Sequence, residues 1–140
     1  EVEGATGYID TNFKGKAEAA IKALKDGADF VYVHLEAPDE CGHRHEIENK
    51  KRSIEMIDEL VVKPIIEAFE GEDIKILVMP DHPTPLALRT HTHDAVPYMI
   101  YDSRKKEISD DNAKYDEPYA NSTNRYEATG HKLMMRFIKE

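Results

Sequence analysis

Helical and strand-like segments alternate along this chain, and this alternation limits the folds that are open to it. Residues 15–25, "GKAEAAIKALK", are strong helix formers with apolar side chains on one stripe, which predicts a helix that ends near Gly27. Residues 29–37, "DFVYVHLEA", form a continuous run of β-branched and aromatic side chains. Such a run is typical of a strand that is buried on both faces of a sheet.

The same alternation continues further along the chain. Residues 46–69 carry apolar side chains at helical spacing, and Pro64 is expected to bend or split this helix. Two more buried strands are predicted at 73–80, "DIKILVMP", and at 96–102, "VPYMIYD". Strands that alternate with helices predict an α/β fold with a mostly parallel sheet flanked by helices.

The remaining segments predict less regular structure. The start of the chain, "EVEGATGYIDTNF", is typical of turn and linker, and residues 103–126 are polar with many turn formers, which predicts an excursion over the surface. Residues 127–139, "EATGHKLMMRFIK", predict a short amphipathic terminal helix.

Composition excludes several classes of partner and of site. A formal net charge of −9 argues against nucleic acid, because duplex binding depends on basic patches that neutralise phosphates. No apolar run is long enough to span a membrane. Cys41 is the single cysteine, which rules out an internal disulfide and is typical of a reducing cytoplasm. Any metal must therefore be held by Asp, Glu and His side chains.

Ligand-type side chains follow the predicted strands. The segment "APDECGHRH" comes after the first strand, "PDHPTP" comes after the second, and "RTHTHD" precedes the third. Ligand sites of open α/β sheets lie beyond the carboxyl ends of the strands. We therefore expect Asp39, Asp81, His82 and His91 to lie at one edge of the sheet. Mixed carboxylate and imidazole ligands suit divalent ions such as Mn²⁺ and Zn²⁺, and two such ions about 3.5–4 Å apart can support phosphoryl transfer.

Each of these features also has a simpler interpretation. A lone Asp-His pair after a strand is more often a helix cap or a turn than a metal site. His34 lies within a predicted buried strand, where a hydrogen-bonded core histidine is expected, and Cys41 is expected to be a small filler.

Taken in order, "APDECGH", "PDH" and "RTHTHDAVP" resemble the metal-binding half of the cofactor-independent phosphoglycerate mutases, in their archaeal-type branch within the alkaline phosphatase superfamily. The resemblance extends to "GATGYIDT", "KAEAA", "FVYVH" and "LVMPDHPTP", and so covers nearly the whole chain. It implies that residues 15–140 are the carboxyl-terminal part of an alkaline-phosphatase-like core domain. Residues 1–14 would then be a hinge that returns from an inserted domain absent from this chain.

The family pattern also implies a set of metal ligands. It assigns Asp39, His43 and His91 to one ion, and it assigns Asp81 and His82 to a second. His91 is preferred to His93 because the family ligand stands five residues before the valine of "VP", which is Val96 here. Arg89 is the candidate for pairing with the substrate. His93 and Asp94 occupy variable positions of the motif.

The implied reaction interconverts 3-phosphoglycerate and 2-phosphoglycerate through a phosphoserine, in glycolysis and gluconeogenesis in the cytoplasm. Two divalent ions would serve the complete enzyme, with Mn²⁺ preferred and Zn²⁺, Co²⁺ or Mg²⁺ as alternatives, and the partner would be a small phosphorylated metabolite. The nucleophilic serine of the family belongs to an amino-terminal segment that this chain lacks, so no catalytic nucleophile is assigned here. The chain's own serines do not replace it: Ser53, Ser103, Ser109 and Ser122. Without that segment we expect at most one tightly bound ion and no mutase activity.

Two other functions remain open from the sequence. The complete protein could be another phosphohydrolase or phosphotransferase of the same superfamily, homoserine-kinase-like or acting on phosphonates. Alternatively, the chain could be a metal-binding module without catalysis. The lid that selects the substrate is not in this sequence, so the residues alone do not distinguish these functions from the mutase. The sequence also leaves the oligomeric state open.

Overall fold

The computed structural model describes residues 1–105 and 112–139. Its elements, in chain order, are α1 (Phe13–Lys25), α2 (Ala37–His43), α3 (Ile47–Ile57), a π-helical turn (Asp58–Val62), α4 (Lys63–Ala68), β1 (Lys75–Val78), β2 (Met99–Asp102), α5 (Glu117–Ser122) and α6 (Gly130–Lys139). The chain divides into two compact units. The first comprises residues 1–70 and 84–92, and the second comprises residues 71–83 and the described residues from 93 onwards.

The first predicted helix is confirmed as α1, with a start at Phe13 that is earlier than expected. The side chain of Asn12 caps it by accepting a hydrogen bond from the backbone N–H of Gly15, at 2.8 Å. Lys22 and Lys25 lie in the last turn, where positive charge complements the helix dipole. Gly27 follows with a φ of 102°, a backbone conformation that other residues rarely adopt.

The strand predicted for residues 29–37 is wrong. Residues 28–36 form neither helix nor strand, and Ala37 begins α2. Along this segment partly buried Val33 and Leu35 alternate with exposed Tyr32 and His34, so only one side packs on the core and His34 is not a core histidine. A strand requires backbone hydrogen bonds to a neighbouring strand, and β-branched residues supply the propensity without supplying that neighbour.

The long helix predicted for residues 46–69 is confirmed, together with its irregularity near Pro64. Between α3 and α4, the N–H of Lys63 bonds to the carbonyl of Asp58, one residue further back than in an α-helix. Proline has no N–H, and its ring clashes with the carbonyl four residues earlier. The wider π-helical turn absorbs this misfit and keeps the helical path continuous from Ile47 to Ala68.

The core of the first unit joins three helical segments. Phe13 and Ala17 of α1 pack with Ala37 of α2 and with Val61 of the π-helical turn, and all four side chains are buried. Ala37 is completely inaccessible to solvent. The amino-terminal end of α2 is therefore anchored in the core, which holds the rest of this short helix in place.

In the second unit, β1 and β2 confirm the strands predicted near 73–80 and 96–102. They pair in antiparallel orientation with Lys75 opposite Asp102 and Val78 opposite Met99. The expected mostly parallel sheet is therefore not what the described residues show. A parallel pair needs a crossover connection, usually a helix. Residues 79–98 contain no helix, so the chain returns beside β1 in the opposite direction.

The terminal helix is confirmed as α6, and its Leu133 is buried. The predicted surface excursion at 103–126 contains a short helix, α5, which was not expected. The side chain of Asp116 caps α5 by accepting from the N–H of Tyr119 at 2.8 Å. Residues 106–111 of that excursion, with Ser109, lie outside the described residues. Every helix in the described ranges is too short or too polar to cross a bilayer.

Candidate metal centre

Asp39 and His43 lie on α2, not on the strand-end loop that the sequence suggested. Pro38 stands in the first turn of this helix, where a missing N–H costs nothing. Asp39 lies near the amino-terminal end of α2, where a carboxylate suits the helix dipole, and His43 lies in the last turn. Residues four apart share one face of a helix, and the Oδ2 atom of Asp39 lies 3.3 Å from Nε2 of His43.

His91 completes a group of three. It belongs to the segment 84–92 that packs within the first unit. Its Nε2 atom lies 3.0 Å from Nε2 of His43 and 3.3 Å from Oδ1 of Asp39. Asp39 and His43 are half-buried, and His91 is exposed. Three ligand-type atoms therefore converge on one point that is open to solvent on one side.

The backbone of Arg89 selects the tautomer of His43. The Nδ1 atom of His43 lies 2.9 Å from the carbonyl oxygen of Arg89, and a carbonyl can only accept a hydrogen bond. Nδ1 must therefore carry a proton, so that in the neutral ring the lone pair is on Nε2, the nitrogen that faces Asp39 and His91. This is the tautomer that a metal ligand requires, with the other ring nitrogen held by a backbone carbonyl.

The three side chains fit a divalent ion. Nitrogen and oxygen ligands lie about 2.0–2.2 Å from a tetrahedral ion such as Zn²⁺, which separates them by about 3.3–3.6 Å from one another. The observed separations of 3.0 and 3.3 Å are close to that spacing. Three protein ligands with an open side are typical of catalytic sites, where a water or the substrate takes the fourth position.

Asp39 is hydrogen-bonded by Thr84, which is in turn held by Lys50. The hydroxyl of Thr84 donates a hydrogen bond to Oδ1 of Asp39, and the backbone carbonyl of Thr84 accepts from Nζ of Lys50 at 2.9 Å. Burial lowers the pKa of Lys50, and the charge of Asp39 acts in the opposite direction. Gly42 makes this contact possible, because a Cβ atom there would lie 2.6 Å from the carbonyl oxygen of Thr84.

The neighbouring side chains on α2 and after it do not add ligands to this group. Cys41 is a buried free thiol whose pKa is raised chiefly by burial, as expected for a small filler. His45 has a φ of 57°, and its Nδ1 donates to the carbonyl of Leu86 at 2.6 Å. Its role in the structure is to hold the 84–92 segment against the end of α2.

Asp81 and His82 belong to the second unit. Nε2 of His82 lies 3.5 Å from Oδ2 of Asp81, and the backbone N–H of His82 donates to Oδ1 of Asp81 at 3.2 Å. Within the described ranges, Asp39, His43 and His91 are the one group of three Asp, Glu, His or Cys side chains with converging ligand atoms. The assignment of Asp81 and His82 to a second ion therefore stays a prediction. The sheet edge that was expected to carry all four ligand residues is not what the described residues show, because Asp39 lies on α2 and follows no strand.

Arg89 and His93 were also singled out in the sequence. Arg89 is exposed and has a φ of 55°, at the end of a turn in which its N–H donates to the carbonyl of Pro85 at 2.9 Å. The structure thus shows a backbone role for Arg89, and its pairing with a substrate stays a prediction. His93 and Asp94 are both exposed, and His93 is not a member of the three-ligand group.

Sequence reasoning missed Thr84, Lys50 and Gly42. The signals were weak: a threonine between two prolines, a lysine in a long helix, and a glycine beside a histidine. A glycine inside a helix often marks a close approach by another group, but at Gly42 this signal became informative only once α2 was known to be a helix. Its partner could not be identified from the sequence, because Thr84 is far along the chain.

A short helix with an Asp-His face, together with a histidine distant in the sequence, could hold a divalent metal ion. The family model of the metalloenzyme superfamily matches residues 1–134, and the chain belongs to that superfamily.

Among its relatives is the 2,3-bisphosphoglycerate-independent phosphoglycerate mutase of Methanosarcina mazei, to which the chain is 49% identical over 125 residues. That alignment covers 88% of this chain and 31% of the mutase. The chain is 47% identical over 135 residues to the probable enzyme of the same name from Geobacter sulfurreducens, covering 96% of this chain and 33% of that protein.

A solved structure is also similar. The PH0037 protein from Pyrococcus horikoshii superimposes with a TM-score of 0.77 and 33% sequence identity, over 86% of this chain and 36% of that one. This chain therefore spans about a third of the length of the relatives that it matches.

Proposed function

We propose that this chain is the metal-binding part of a 2,3-bisphosphoglycerate-independent phosphoglycerate mutase, an isomerase that interconverts 3-phosphoglycerate and 2-phosphoglycerate. The observation that carries the proposal is the 47% identity to the probable enzyme of Geobacter sulfurreducens over 96% of the chain. An alignment of that extent includes Asp39, His43 and His91. No observation on the described residues favours a different phosphohydrolase or a module without catalysis.

In this proposal, Asp39, His43 and His91 hold one divalent ion, and Asp81 and His82 contribute to a second in the complete enzyme. The donor set of one carboxylate and two imidazoles supports Mn²⁺, Zn²⁺ or Co²⁺ over Mg²⁺, which prefers an all-oxygen shell. When bound, such ions lower the pKa of a nucleophilic hydroxyl and neutralise charge on a phosphoryl group in transfer.

The chain's own residues would prepare the site for that chemistry. The Arg89 carbonyl keeps the proton of His43 on Nδ1 and its lone pair towards the ion. The guanidinium of Arg89 would pair with the phosphate or carboxylate of the substrate, a contact that arginine makes with two parallel N–H donors. The nucleophilic serine would come from the rest of the enzyme, within an alkaline-phosphatase-like core that carries a parallel sheet.

The remaining properties follow from that chemistry. The partner is a small phosphorylated metabolite, and the net charge of −9 makes metal ions and Arg89 the natural counter-charges for it. Nucleic acid is not a partner in this proposal. A cytoplasmic location fits an enzyme that acts on metabolites of central carbon metabolism.

The proposal is tested by measuring the conversion of 3-phosphoglycerate to 2-phosphoglycerate by the complete enzyme, with and without Mn²⁺. We expect metal-dependent turnover that His91→Ala abolishes, because one of three ligands is lost. His93→Ala is the matched control, since His93 is an exposed histidine of the same motif outside the three-ligand group. The 140-residue chain alone should show no mutase turnover.

Three results would count against the proposal. Release of inorganic phosphate in place of isomerisation would identify a hydrolase. Full activity of His91→Ala would remove that histidine from the centre. Turnover by the 140-residue chain alone, freed of host enzyme, would show that the nucleophile is not the serine expected elsewhere.

A further inference from the structure

We propose that Thr84 is a positioning residue that sets the orientation of the Asp39 carboxylate for metal binding. This inference rests on the metal centre of the proposed function, and it concerns a residue outside the ligand set. The observation behind it is the hydrogen bond from the Thr84 hydroxyl to Oδ1 of Asp39, the same oxygen that lies 3.3 Å from Nε2 of His91.

The carboxylate of Asp39 faces both histidines at once. Oδ1 lies 3.3 Å from His91 and Oδ2 lies 3.3 Å from His43, so rotation of the carboxylate plane changes both distances. Asp39 is on a helix, and the helical backbone fixes the direction of its Cα–Cβ bond. The χ2 torsion, which rotates the carboxylate plane, has a broad distribution for aspartate. A donor on one oxygen removes that freedom. A charge-assisted hydrogen bond from a hydroxyl to a carboxylate is strong enough to select one orientation.

Thr84 is itself held firmly enough to act in this way. Its side chain is buried, with 5% of the residue exposed, and its carbonyl accepts from Lys50 at 2.9 Å. Gly42 allows the backbone of Thr84 to lie directly against α2, where any side chain would collide with it. The helix that carries Asp39 and the segment that carries Thr84 are thus in contact through the backbone as well as through the side chains.

The hydrogen bond also leaves Asp39 able to bind metal. Each carboxylate oxygen has two lone pairs, so Oδ1 can accept from Thr84 with one and coordinate an ion with the other. Partners of this kind around a metal ligand typically contribute 10- to 100-fold in metal affinity. Thr84 is expected to act through Asp39, because its hydroxyl donates to Oδ1 of that residue.

The test is a titration of the 140-residue chain with Co²⁺, followed by calorimetry and by the visible absorption of the bound ion. Thr84→Val removes the hydroxyl and keeps the shape of the side chain. We expect it to weaken Co²⁺ binding by about 10- to 100-fold. Thr84→Ser restores the donor and should restore both the affinity and the absorption spectrum to those of the unaltered chain.

A matched control is available in the same unit. The hydroxyl of Thr6 donates to Oδ1 of Asp10 at 2.9 Å, which is the same kind of hydrogen bond at a site with no metal-ligand group among the described residues. Thr6→Val should bind Co²⁺ as the unaltered chain does. In an Asp39→Asn background, Thr84→Val should have no further effect on the affinity, because the group through which it acts has changed.

The outcomes separate this inference from the proposed function. If the unaltered chain binds no Co²⁺, the metal centre and the inference both fail. If it binds and Thr84→Val binds equally well, the inference alone is overturned. If circular dichroism shows that Thr84→Val does not fold, the Co²⁺ affinities of Thr84→Ser and Thr84→Ala are compared instead. Equal affinity of these two variants would overturn the inference.

Discussion

The carbonyl oxygen of Arg89 accepts a hydrogen bond from His43, so the backbone of this residue affects the candidate metal centre whatever its side chain does. The φ of 55° directs the carbonyl, and few residues other than glycine and asparagine adopt that conformation without strain. The side chain is exposed. At this residue the backbone and the guanidinium therefore have separable functions.

Arg89→Asn should separate those functions. Asparagine accepts the left-handed backbone and lacks the charge, so the affinity of the chain for Co²⁺ should stay within about twofold. In the complete enzyme the KM for phosphoglycerate should rise by about 10- to 100-fold, the effect of losing a charged hydrogen bond of about 1.5–3 kcal/mol. Arg125→Asn, at another exposed arginine, is the control. An unchanged KM would exclude Arg89 from substrate binding.

At the scale of the element, α2 connects the core to the candidate site. Ala37 at its amino-terminal end is buried in the core, and Asp39 and His43 carry ligand atoms on one face. Gly42 packs against the segment that contains Thr84. A helix of 7 residues is too short to be stable alone, so these tertiary contacts hold it in place.

Gly42→Ala should destabilise the protein and weaken metal binding. The new Cβ would lie 2.6 Å from the Thr84 carbonyl oxygen and 2.9 Å from Nζ of Lys50, and the backbone atom cannot move aside cheaply. We expect a loss of about 1–3 kcal/mol in the free energy of unfolding, measured with urea. Gly130→Ala in α6 is the control, because nothing lies within 4 Å of its Cβ position. Equal stability of both variants would contradict the close approach.

At the scale of the whole molecule, the two sets of predicted ligands differ in number. Asp39, His43 and His91 supply three ligand atoms within the first unit, whereas Asp81 and His82 in the second supply two. Tight sites for divalent transition metals generally use three or four protein ligands. The isolated chain is therefore expected to hold one ion tightly.

Elemental analysis after dialysis against trace Mn²⁺ or Zn²⁺ should find no more than one ion per chain. His91→Ala should lower that occupancy, because it leaves two ligands, and His93→Ala should not. Two tightly held ions in the 140-residue chain would mean that Asp81 and His82 form a complete site without the rest of the enzyme.

The site could be only partly predicted from the sequence. Asp39 and His43 are four residues apart, and that spacing becomes informative once α2 is known to be a helix. His91 is 48 residues from His43, and nothing in the local pattern distinguishes it from His93; the resemblance to a family suggested it. Thr84 was missed, because a hydroxyl becomes important only through the carboxylate that it contacts.

Local pattern alone determined α1, the irregular long helix around Pro64, the positions of β1 and β2, and the terminal helix. These depend on side-chain spacing, capping and the missing N–H of proline, all of which act within a few residues. Tertiary structure decided that residues 28–36 are not a strand, that β1 and β2 run antiparallel, and that Asp39, His43 and His91 converge. Each of these outcomes depends on a partner distant in sequence, and a strand, a sheet direction or a metal centre exists only when that partner is in place.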